Sequence, residues 1–369
     1  MSAHSAPFSV GLDRLGEFDA IIDVRSPAEF ADDHIPGAIN CPVLDDAERV
    51  RIGTLYKQVS PFEAKKLGAA LVSRNIARHI ETHFLSKPRG WKPLIYCWRG
   101  GQRSGSMTLV LGQIGWGARR LEGGYKVFRQ QVLEDLETLP AKLDFSVLCG
   151  PTGSAKTALL DALAEAGEQV LDLENLANHR GSVLGGAPHT VQPGQKAFET
   201  GLWSALRGFD PARPVWVESE SRRIGRLHVP AALFERLRDG ECLRVQAPLE
   251  ARIDHLLERY ADLIADPLAF NEKLQRLVEQ HGHRKVEGWQ ALVTAGAWRQ
   301  LAEELVTAHY DPAYRRGGEG LYRRLAAGRA LPLETLDAAS LAVAARALVG
   351  GAGRSALAVD VGEGGVDQG

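Results

Sequence analysis

Cys97 stands in surroundings that favour chemistry at its sulfur. It follows the apolar run 93–96 and opens a short loop before a predicted helix, with Arg99 and Arg103 close behind it. In such a loop, backbone N–H groups curl around the sulfur, and the start of the helix adds partial positive charge. Together with the two guanidinium groups they favour the thiolate, so we expect Cys97 to be nucleophilic and the loop to hold a tetrahedral anion. The N–H groups of this cradle belong to Trp98, Gly100, Gly101 and Gln102.

The alternative interpretation of Cys97 is a small buried side chain without a chemical role. Two glycines and two arginines within the next six residues favour the chemical interpretation instead. Cys41, Cys149 and Cys242 lack such neighbours. The four cysteines lie far apart and form no CxxC pair, so we expect neither a disulfide framework nor a zinc site.

A second anion-binding pattern occupies residues 150–157. It follows the apolar run 145–149 and precedes a predicted helix from Lys156, which is the setting of a P-loop. The pattern departs at Ala155, where glycine is usual. We expect Lys156 to reach the outer phosphate and the Thr157 hydroxyl to ligate Mg²⁺. The predicted phosphate- or diphosphate-binding residues are Gly150, Thr152, Gly153, Ser154, Lys156 and Thr157.

A magnesium site at this loop needs an acid from the end of another strand. Glu218 and Glu220 follow the predicted strand 215–217, and Asp172 and Glu174 lie at the end of the predicted strand 169–173. The sequence does not choose among these four carboxylates, each of which is otherwise a solvated loop residue. No metal ligand is assigned firmly.

Strands and helices alternate twice along the chain, which predicts two α/β domains with mostly parallel sheets. We expect the first domain over residues 8–130, a helical connector over 131–143 and the P-loop domain with a helical extension over 144–330. Residues 331–369 are rich in Ala and Gly, and we expect a flexible tail there.

Composition is that of an ordinary globular protein, since 44% of the 369 residues are hydrophobic and 24% are charged. Lys+Arg 44 against Asp+Glu 46 gives a formal charge of −2, which excludes nucleic-acid binding by bulk positive charge but not by a local basic patch. We find no secretory signal at the start and no apolar stretch of membrane-spanning length, and we therefore expect a cytoplasmic protein. The oligomeric state is not predicted.

Local basic patches are the expected RNA contacts. The first candidates are His179, Arg180, Arg222 and Arg223. The C-terminal third adds basic residues with interleaved aromatic rings that could stack on splayed bases. Those residues are His281, His283, Arg284, Lys285, Arg315, Arg316, Arg323 and Arg324, with Trp289, Trp298, Tyr310, Tyr314 and Tyr322, and Arg226 is a further candidate beside Arg222 and Arg223. For any one of them, a surface cation or a core ring is the simpler interpretation.

Residues 10–130 resemble the rhodanese family, whose sulfurtransferases carry sulfur as a cysteine persulfide. The resemblance rests on the runs DVRSPAEF (23–30), HIPGAIN (34–40) and LEGGYK (121–126), and on the cysteine loop. It implies a rhodanese-like parallel-sheet α/β domain. Cys97 and Arg103 have the spacing C-x5-R, which is one residue longer than the usual sulfurtransferase loop and matches that of cysteine phosphatases. We therefore expect a bulkier anion than a single sulfur.

Residues 8–320 as a whole resemble the tRNA 2-selenouridine synthase family. A rhodanese-like domain before a P-loop NTPase-like α/β domain is an uncommon pairing, and the runs CWRGGQRS (97–104), DLENLANHRGS (172–182) and ESESRRIG (218–225) add to the likeness. The resemblance implies a transferase acting on the wobble uridine in the anticodon arm of tRNAs that read Lys, Glu and Gln codons.

The chemistry that this resemblance implies has two steps and two co-substrates. The 2-thiouridine is first S-geranylated from geranyl diphosphate, because a neutral geranyl thiol leaves the ring more readily than sulfur itself. Selenophosphate then supplies selenium to give 2-selenouridine. We expect Cys97 to carry the selenium as a selenylsulfide and Arg99 and Arg103 to bind the phosphate. Geranyl diphosphate would give the P-loop a role without ATP hydrolysis, and no tightly bound cofactor is expected.

Two kinds of alternative remain open at this point. One is a cysteine-dependent phosphatase or persulfide sulfurtransferase with an accessory nucleotide-binding domain. Tyr96 stands where phosphatases usually have histidine, and no general-acid aspartate is evident. The other alternative is a non-catalytic P-loop adaptor, against which the presence of Cys97 and both arginines argues.

Overall fold

Two parallel β-sheets form the centres of two separate units in the computed structural model of this chain, which describes residues 8–182, 184–185, 191–318 and 320–350. Met1–Thr138 and Pro193–Arg207 make up unit 1, and Leu139–Gln192 and Gly208–Gly369 make up unit 2. Each sheet has five strands, with helices before and after them in the chain. The predicted α/β class with two domains is confirmed.

The sheet of unit 1 has the order β1-β5-β4-β2-β3, and all its pairings are parallel. The strands are β1 (Ser9–Val10), β2 (Ala20–Asp23), β3 (Ala38–Asn40), β4 (Pro93–Tyr96) and β5 (Arg119–Leu121). All four residues of β4 are buried, and β4 lies in the middle of the sheet. Cys97, the next residue, therefore leaves the sheet at the carboxyl end of its central strand, where ligands bind in open α/β folds.

Helices of unit 1 bury a core of aliphatic side chains against this sheet, including Ile22, Ile95 and Met107. The helices are α1 (Pro27–Asp32), α2 (Asp46–Gln58), α3 (Pro61–His79), α4 (Gln102–Ile114) and α5 (Gly124–Thr138). α1 begins with a capping box, in which the Glu29 carboxylate accepts the Ser26 N–H at 3.1 Å. This arrangement satisfies N–H groups that a helix start leaves unpaired.

The sheet of unit 2 has the order β12-β11-β6-β8-β7 and is also parallel throughout, and a short antiparallel hairpin, β9–β10, stands apart from it. The strands are β6 (Phe145–Cys149), β7 (Gln169–Leu171), β8 (Val215–Glu218), β9 (Arg223–Ile224), β10 (Leu227–His228), β11 (Glu241–Gln246) and β12 (Arg329–Pro332). β6 is central, so the segment 150–157 begins at the carboxyl edge beside the ends of β7 and β8.

Twelve α-helices follow β6 in the described part of the chain. They are α6 (Lys156–Glu165), α7 (Leu173–Ala177), α8 (Gln195–Gly208), α9 (Ala231–Arg238), α10 (Leu249–Arg259), α11 (Ala261–Ile264), α12 (Pro267–Leu274), α13 (Val278–His281), α14 (His283–Thr294), α15 (Trp298–Leu305), α16 (Asp311–Ala313) and α17 (Ala338–Val349). The predicted helical extension corresponds to α10–α16. Its own core surrounds the fully buried Trp289.

α8 follows the P-loop in sequence but belongs to unit 1. The Trp203 indole N–H donates to Asp135 Oδ2 on α5 at 2.7 Å, and its ring lies edge-on to Phe128 at 5.3 Å. Thr200 Oγ1 donates to Asp33 Oδ2 at 3.0 Å. These buried contacts hold α8 against the first unit, although the intervening residues 139–192 belong to unit 2.

The prediction of a flexible tail from residue 331 is wrong as far as residue 350. β12 extends the sheet by pairing with β11, and α17 packs Leu341, Ala344 and Ala345 into the core that contains α6. Alanine is small and a strong helix former, so this composition suits a closely packed helix as well as a tail. Residues 351–369 lie outside the described part of the chain.

The predicted connector 131–143 takes the form of a helix end and a turn. Residues 131–138 complete α5, and Pro140–Lys142 forms a single 3-10 turn before β6. Among the described residues, no helix is both long and apolar enough to cross a membrane.

Candidate functional sites

The sulfur of Cys97 lies at the base of the loop that joins β4 to α4, and the residue is only 3% exposed. The Gly101 N–H donates to Sγ at 3.3 Å, and the Ser104 hydroxyl lies 3.2 Å from Sγ. Gly101 is the residue before the first turn of α4, so Sγ lies close to the start of that helix. Of the four N–H groups predicted for the cradle, only that of Gly101 bonds the sulfur among the described residues, and Ser104 was not singled out in the sequence.

Backbone hydrogen bonds from the start of α5 hold the cysteine loop in place. The N–H groups of Tyr125 and Lys126 donate to the carbonyls of Cys97 and Trp98, both at 2.9 Å. A Cβ on Gly124 would lie 2.2 Å from the Cys97 carbonyl oxygen, so glycine is required there. The two backbones can therefore approach each other only because this position has no side chain.

The two arginines of the loop have different surroundings. Arg103 donates to both carboxylate oxygens of Glu29, at 2.7 and 3.3 Å. Burial alone would raise the pKa of Glu29, but hydrogen bonds from Arg103 and from the Ser26 N–H more than offset this and leave the pKa below its usual range. Arg99 is exposed to solvent. Glu29 thus orients Arg103 as well as capping α1.

Tyr125 of α5 connects the cysteine loop to the buried carboxylate of Asp33. Tyr125 donates its hydroxyl to Asp33 Oδ2 at 2.7 Å, the same oxygen that accepts from Thr200. The Tyr125 ring packs on Trp98 at 5.3 Å, and the Arg25 guanidinium lies 3.9 Å from the ring centroid. Burial and the bond to Asp33 raise the pKa of Tyr125, so its hydroxyl stays a donor.

In unit 2, residues 150–155 form a loop between β6 and α6, and Lys156 and Thr157 begin α6, as predicted. Ala155, at the position where glycine is usual, adopts a left-handed conformation with φ 59 and ψ 30. The loop therefore has the backbone shape that glycine would give, at a cost of about 1 kcal/mol for a residue with a side chain. Lys156 Nζ donates to the Gly150 carbonyl at 3.0 Å, which keeps the ammonium group over the loop.

Three glutamates converge beside the Thr157 hydroxyl. Carboxylate oxygens of Glu174, Glu218 and Glu220 all lie within 4.8 Å of one another. Thr157 Oγ1 donates to Glu218 at 3.0 Å, and Arg259 Nη2 donates to Glu174 at 2.5 Å. The end of β8, the start of α7 and α10 therefore contribute to one site with α6.

Asp172 lies outside this cluster, because its carboxylate caps α7 by accepting the Asn175 N–H at 2.9 Å. Of the four carboxylates that the sequence left open, the structure brings together Glu174, Glu218 and Glu220. Arg259 lies 102 positions from Thr157 and had no signal in the sequence.

The cluster carries more buried negative charge than its protein partners balance. Burial, followed by the charges of neighbouring carboxylates, raises the pKa of Glu218 well above its usual value, and burial raises the pKa of Glu220 to about 7. Glu218 is 1% exposed, and its Oε1 has no hydrogen-bond partner among the described residues. Carboxylate and hydroxyl oxygens suit a hard divalent cation. The residues therefore fit Mg²⁺.

The P-loop and the glutamates line a cleft of about 1050 Å³, whose far wall comes from α10 and the segment after α15. Beside it lies an apolar pocket of about 50 Å³ that shares Thr152, Leu256, Tyr260 and Tyr310 with the cleft. Its other lining residues are Leu184, Leu257, Ile264, Phe270, Trp298, Leu301, Ala302, Leu305 and Val306. The P-loop residues and an apolar pocket therefore adjoin one another.

The predicted RNA contacts are distributed over unit 2 and differ in exposure. Arg180 lines the cleft, where it pairs with both oxygens of Asp262 at 3.0 and 2.8 Å. His179 accepts the Gly181 N–H and is half-buried. Arg222 and Arg223 are exposed on the segment that enters β9.

Several of the basic and aromatic candidates in the C-terminal third have structural partners. Trp289 and Tyr322 are buried, at 0% and 3% exposure, so for these two the simpler interpretation as core rings is correct and they do not stack on bases. Arg323 forms ion pairs with Glu235 and Asp239. His281 and Arg316 line the cleft, and His281 Nε2 lies 3.0 Å from His309 Nδ1.

Fold and sites define a class of two-domain α/β protein, in which a rhodanese-like domain with a complete cysteine loop is followed by a P-loop domain with an acidic cluster. Two family models match accordingly: one described as a rhodanese-like domain over residues 11–131, and one described as the tRNA 2-selenouridine synthase AAA domain over residues 143–284.

Curated relatives agree with both matches. The tRNA 2-selenouridine synthase of Nitrosomonas europaea is 36% identical over 265 residues, which are 70% of this chain and 67% of that protein. The one of Alcanivorax borkumensis is 38% identical over 246 residues, which are 65% of this chain and 66% of that protein. These two alignments therefore span about two thirds of the relatives' length. The one of Shewanella woodyi is 32% identical over 324 residues, 80% and 87% of the two chains. The chain belongs to the tRNA 2-selenouridine synthase family, and the predicted resemblance is confirmed.

Proposed function

We propose that this chain replaces the sulfur of 2-thiouridine by selenium at the wobble position of tRNAs that read Lys, Glu and Gln codons. Geranyl diphosphate and selenophosphate are the co-substrates, and the intermediate is S-geranyl-2-thiouridine. Membership of the tRNA 2-selenouridine synthase family supports the overall conversion. It also argues against the phosphatase and the non-catalytic adaptor that the sequence had left open.

The observation that carries the geranyl step is the apolar pocket next to the P-loop. A nucleotide base needs polar partners, whereas this pocket is lined mainly by aliphatic and aromatic side chains, which suit an isoprenoid chain. The loop N–H groups and Lys156 bind the diphosphate. The pocket of about 50 Å³ is smaller than a ten-carbon chain, so the first isoprene unit lies in the larger cleft and the distal part in the pocket.

In the geranyl step the thiouridine sulfur attacks C1 of the geranyl group. The C1–O bond breaks, pyrophosphate leaves, and the base releases its N3 proton to water. Glu174, Glu218, Glu220 and Thr157 are the residues that would hold Mg²⁺, which neutralises charge on a leaving diphosphate when bound. Lys156 and Arg259 bring further positive charge to the same place.

The selenium step is a substitution without net oxidation, because selenium in selenophosphate is already at the level of selenide. The selenylsulfide expected from the sequence holds selenium at a higher oxidation level and would need a two-electron oxidant. We therefore propose Cys97 as a nucleophile. Its thiolate adds to C2 of the base, and geranyl thiolate leaves and is protonated. The selenium of selenophosphate then attacks C2 and displaces the Cys97 thiolate. Water finally cleaves the Se–P bond, which releases phosphate and leaves 2-selenouridine. Gly101 and Arg103 bind the selenophosphate oxygens.

Mass spectrometry of tRNA nucleosides tests both steps in cells that lack this chain and are supplied with selenium. The wild-type chain should restore 2-selenouridine. Cys97→Ala should stop at S-geranyl-2-thiouridine, and Lys156→Ala should leave 2-thiouridine. If the wild-type chain restores no 2-selenouridine, the proposed function is wrong.

Equilibrium binding separates the role of the P-loop from that of the rest of the chain. Lys156→Ala should weaken binding of geranyl diphosphate at least tenfold, because the ammonium group is lost at the phosphates. Lys142→Ala, which removes an exposed lysine of unit 2, is the matched control and should bind as the wild type. Unchanged affinity in Lys156→Ala contradicts the assignment of this loop to geranyl diphosphate.

A further inference from the structure

A groove of about 760 Å³ runs along α4 in unit 1, on the side that faces α2 and α3. We call it the α4 groove. Its walls are mostly apolar, and its volume lies within the range of small-molecule sites. The apolar residues that line it are Leu44, Ile52, Tyr56, Ala64, Ala69, Val72 and Leu109, with Gly68 and Gly105 between them.

One end of the α4 groove is the cysteine loop itself. Gly101, Gln102 and Arg103 line that end, and the Gly101 N–H donates to Cys97 Sγ at 3.3 Å. Gly101, whose N–H bonds this sulfur, therefore connects the groove to the cysteine loop, whereas Cys97 itself, 3% exposed, is not one of the lining residues. Leu109, 60% exposed, continues the apolar surface along α4 away from the loop.

The groove also carries positive charge that the described residues do not balance. Lys65 and Arg120 line it, and neither has an acidic partner within the described part of the chain. Arg120 Nη2 donates to the neutral Ser9 hydroxyl, and the buried Arg120 Nε has no hydrogen-bond partner among the described residues. Arg103, in contrast, is paired with Glu29. An apolar floor with two unbalanced cations suits a ligand that combines a hydrocarbon group with phosphate charges.

We propose that the α4 groove binds the S-alkylated wobble nucleotide, with the hydrocarbon chain along Ile52, Val72 and Leu109. The flanking RNA phosphates lie at Lys65 and Arg120. The proposal rests on the proposed function, since it assigns a place to the intermediate of that reaction while Cys97 acts on it. Specificity for the alkylated base then comes from the groove, because a plain thiouridine leaves its apolar walls exposed to water.

Two neighbouring alanines of α3 provide a matched test. Ala69 and Ala70 both belong to the part of α3 that meets solvent, but only Ala69 lines the groove. Ala69→Trp fills the groove, so we expect S-geranyl-2-thiouridine to accumulate and 2-selenouridine to fall at least tenfold in the complemented cells. Ala70→Trp should match the wild type. Equal nucleoside profiles in Ala69→Trp and Ala70→Trp would overturn the proposal for the groove. Absence of S-geranyl-2-thiouridine from all variants, Cys97→Ala included, would instead contradict the proposed function.

Binding measured without turnover gives an independent readout. The probes are an anticodon stem-loop RNA with S-geranyl-2-thiouridine and the same RNA with 2-thiouridine, both added to the full chain carrying Lys156→Ala. We expect the geranylated RNA to bind at least tenfold more tightly, and Ala69→Trp or the less bulky Leu109→Gln to abolish that preference. A preference that survives both changes, or a change of oligomeric state in Ala69→Trp, would show another occupant and overturn the proposal.

Discussion

The carboxylate of Glu29 accepts two hydrogen bonds from Arg103 while it also accepts the Ser26 N–H at the start of α1. One side chain therefore caps a helix and orients an arginine of the cysteine loop 74 positions away. Because both Nη atoms of Arg103 donate to this carboxylate, the orientation of the guanidinium group at the cysteine loop is fixed. The capping box of α1 is thus part of the candidate site.

Glu29→Gln should slow the Cys97-dependent step while leaving the geranyl step unchanged. Glutamine still caps α1, but charge-assisted hydrogen bonds to Arg103 are lost, which we expect to cost about 1.5 kcal/mol, or roughly tenfold in rate. The ratio of S-geranyl-2-thiouridine to 2-selenouridine in single-turnover reactions measures this. Glu48→Gln alters the equivalent capping box of α2, which does not contact the loop, and should leave the ratio unchanged. An equal effect of the two changes would mean that Glu29 acts only through stability.

Glu218→Gln should make unit 2 more stable and remove its response to magnesium. Burial raises the pKa of Glu218, so the ionised carboxylate opposes folding near neutral pH, and a neutral amide avoids that penalty. We expect the free energy of unfolding without divalent cations to rise by about 1 kcal/mol. Mg²⁺ at ten times its dissociation constant should stabilise the wild type by about 1.4 kcal/mol and the variant hardly at all.

Denaturant unfolding with and without Mg²⁺ measures both effects of Glu218→Gln. The matched control is Glu241→Gln, an exposed glutamate at the start of β11, which should change stability by less than about 0.5 kcal/mol. Full retention of the magnesium effect in Glu218→Gln would contradict a cation site at this cluster.

His79 should make unit 1 less stable as the pH falls from 8 to 5. It is 6% exposed, its Nε2–H donates to the Pro42 carbonyl at 2.9 Å, and burial lowers its pKa despite that bond. A lowered pKa means that the unfolded chain takes up the proton first, so stability present above the ordinary histidine pKa of about 6.5 is lost below it. Urea unfolding at a series of pH values measures this loss.

His79→Gln keeps a donor for Pro42 but does not titrate, so it should flatten the pH dependence of unit 1 stability between pH 8 and 5. His83→Gln replaces an exposed histidine in the turn after α3 and should keep most of the dependence. A steeper dependence in His79→Gln than in the wild type would mean that protonation of His79 stabilises unit 1, the opposite of what its lowered pKa requires.

Trp203→Ala should destabilise unit 1 although the residue follows the P-loop in sequence. Its ring is 6% exposed against Phe128, and truncation of such a side chain costs about 3–5 kcal/mol. Hydrogen exchange of the β2 and β4 amides in the full chain reports on unit 1. Lys196 lies on the same helix as Trp203, and Lys196→Ala removes its exposed ion pair with Asp32 of α1, which should cost less than about 0.5 kcal/mol. Faster exchange confined to unit 2 would show that α8 does not support unit 1.

Both anion loops could be predicted because their determinants are local. A cysteine or a glycine-rich segment between an apolar strand and a helix fixes where N–H groups point, whatever the rest of the chain does. Ala155 shows the limit of such a pattern: the sequence departs from glycine, yet the backbone adopts the left-handed conformation that the loop needs. Surrounding contacts, including its buried methyl group, outweigh the local preference.

The partners of these loops could not be predicted, because they come from distant positions. Glu174, Glu218 and Glu220 meet because β6, β7 and β8 end at one edge of a parallel sheet, and Arg259 joins them from α10. Glu174 belongs to the glutamate cluster and Asp172 does not, because the Asp172 carboxylate caps α7 while Glu174 lies in the first turn of that helix. The flexible tail from residue 331 was predicted from composition alone. Composition does not show that β12 pairs with the free edge of β11, or that α17 covers the apolar face of α6.

The sequence by itself determined the class of fold, the positions of the two loops and the side chains in them, since strand and helix periodicity and turn residues act over a few positions. Tertiary structure alone decided that Glu29 orients Arg103, that α8 supports the first unit, and that an apolar pocket adjoins the phosphate loop. Each of these depends on which faces of distant elements pack together, and that choice minimises exposed apolar surface over the whole chain rather than in any one segment.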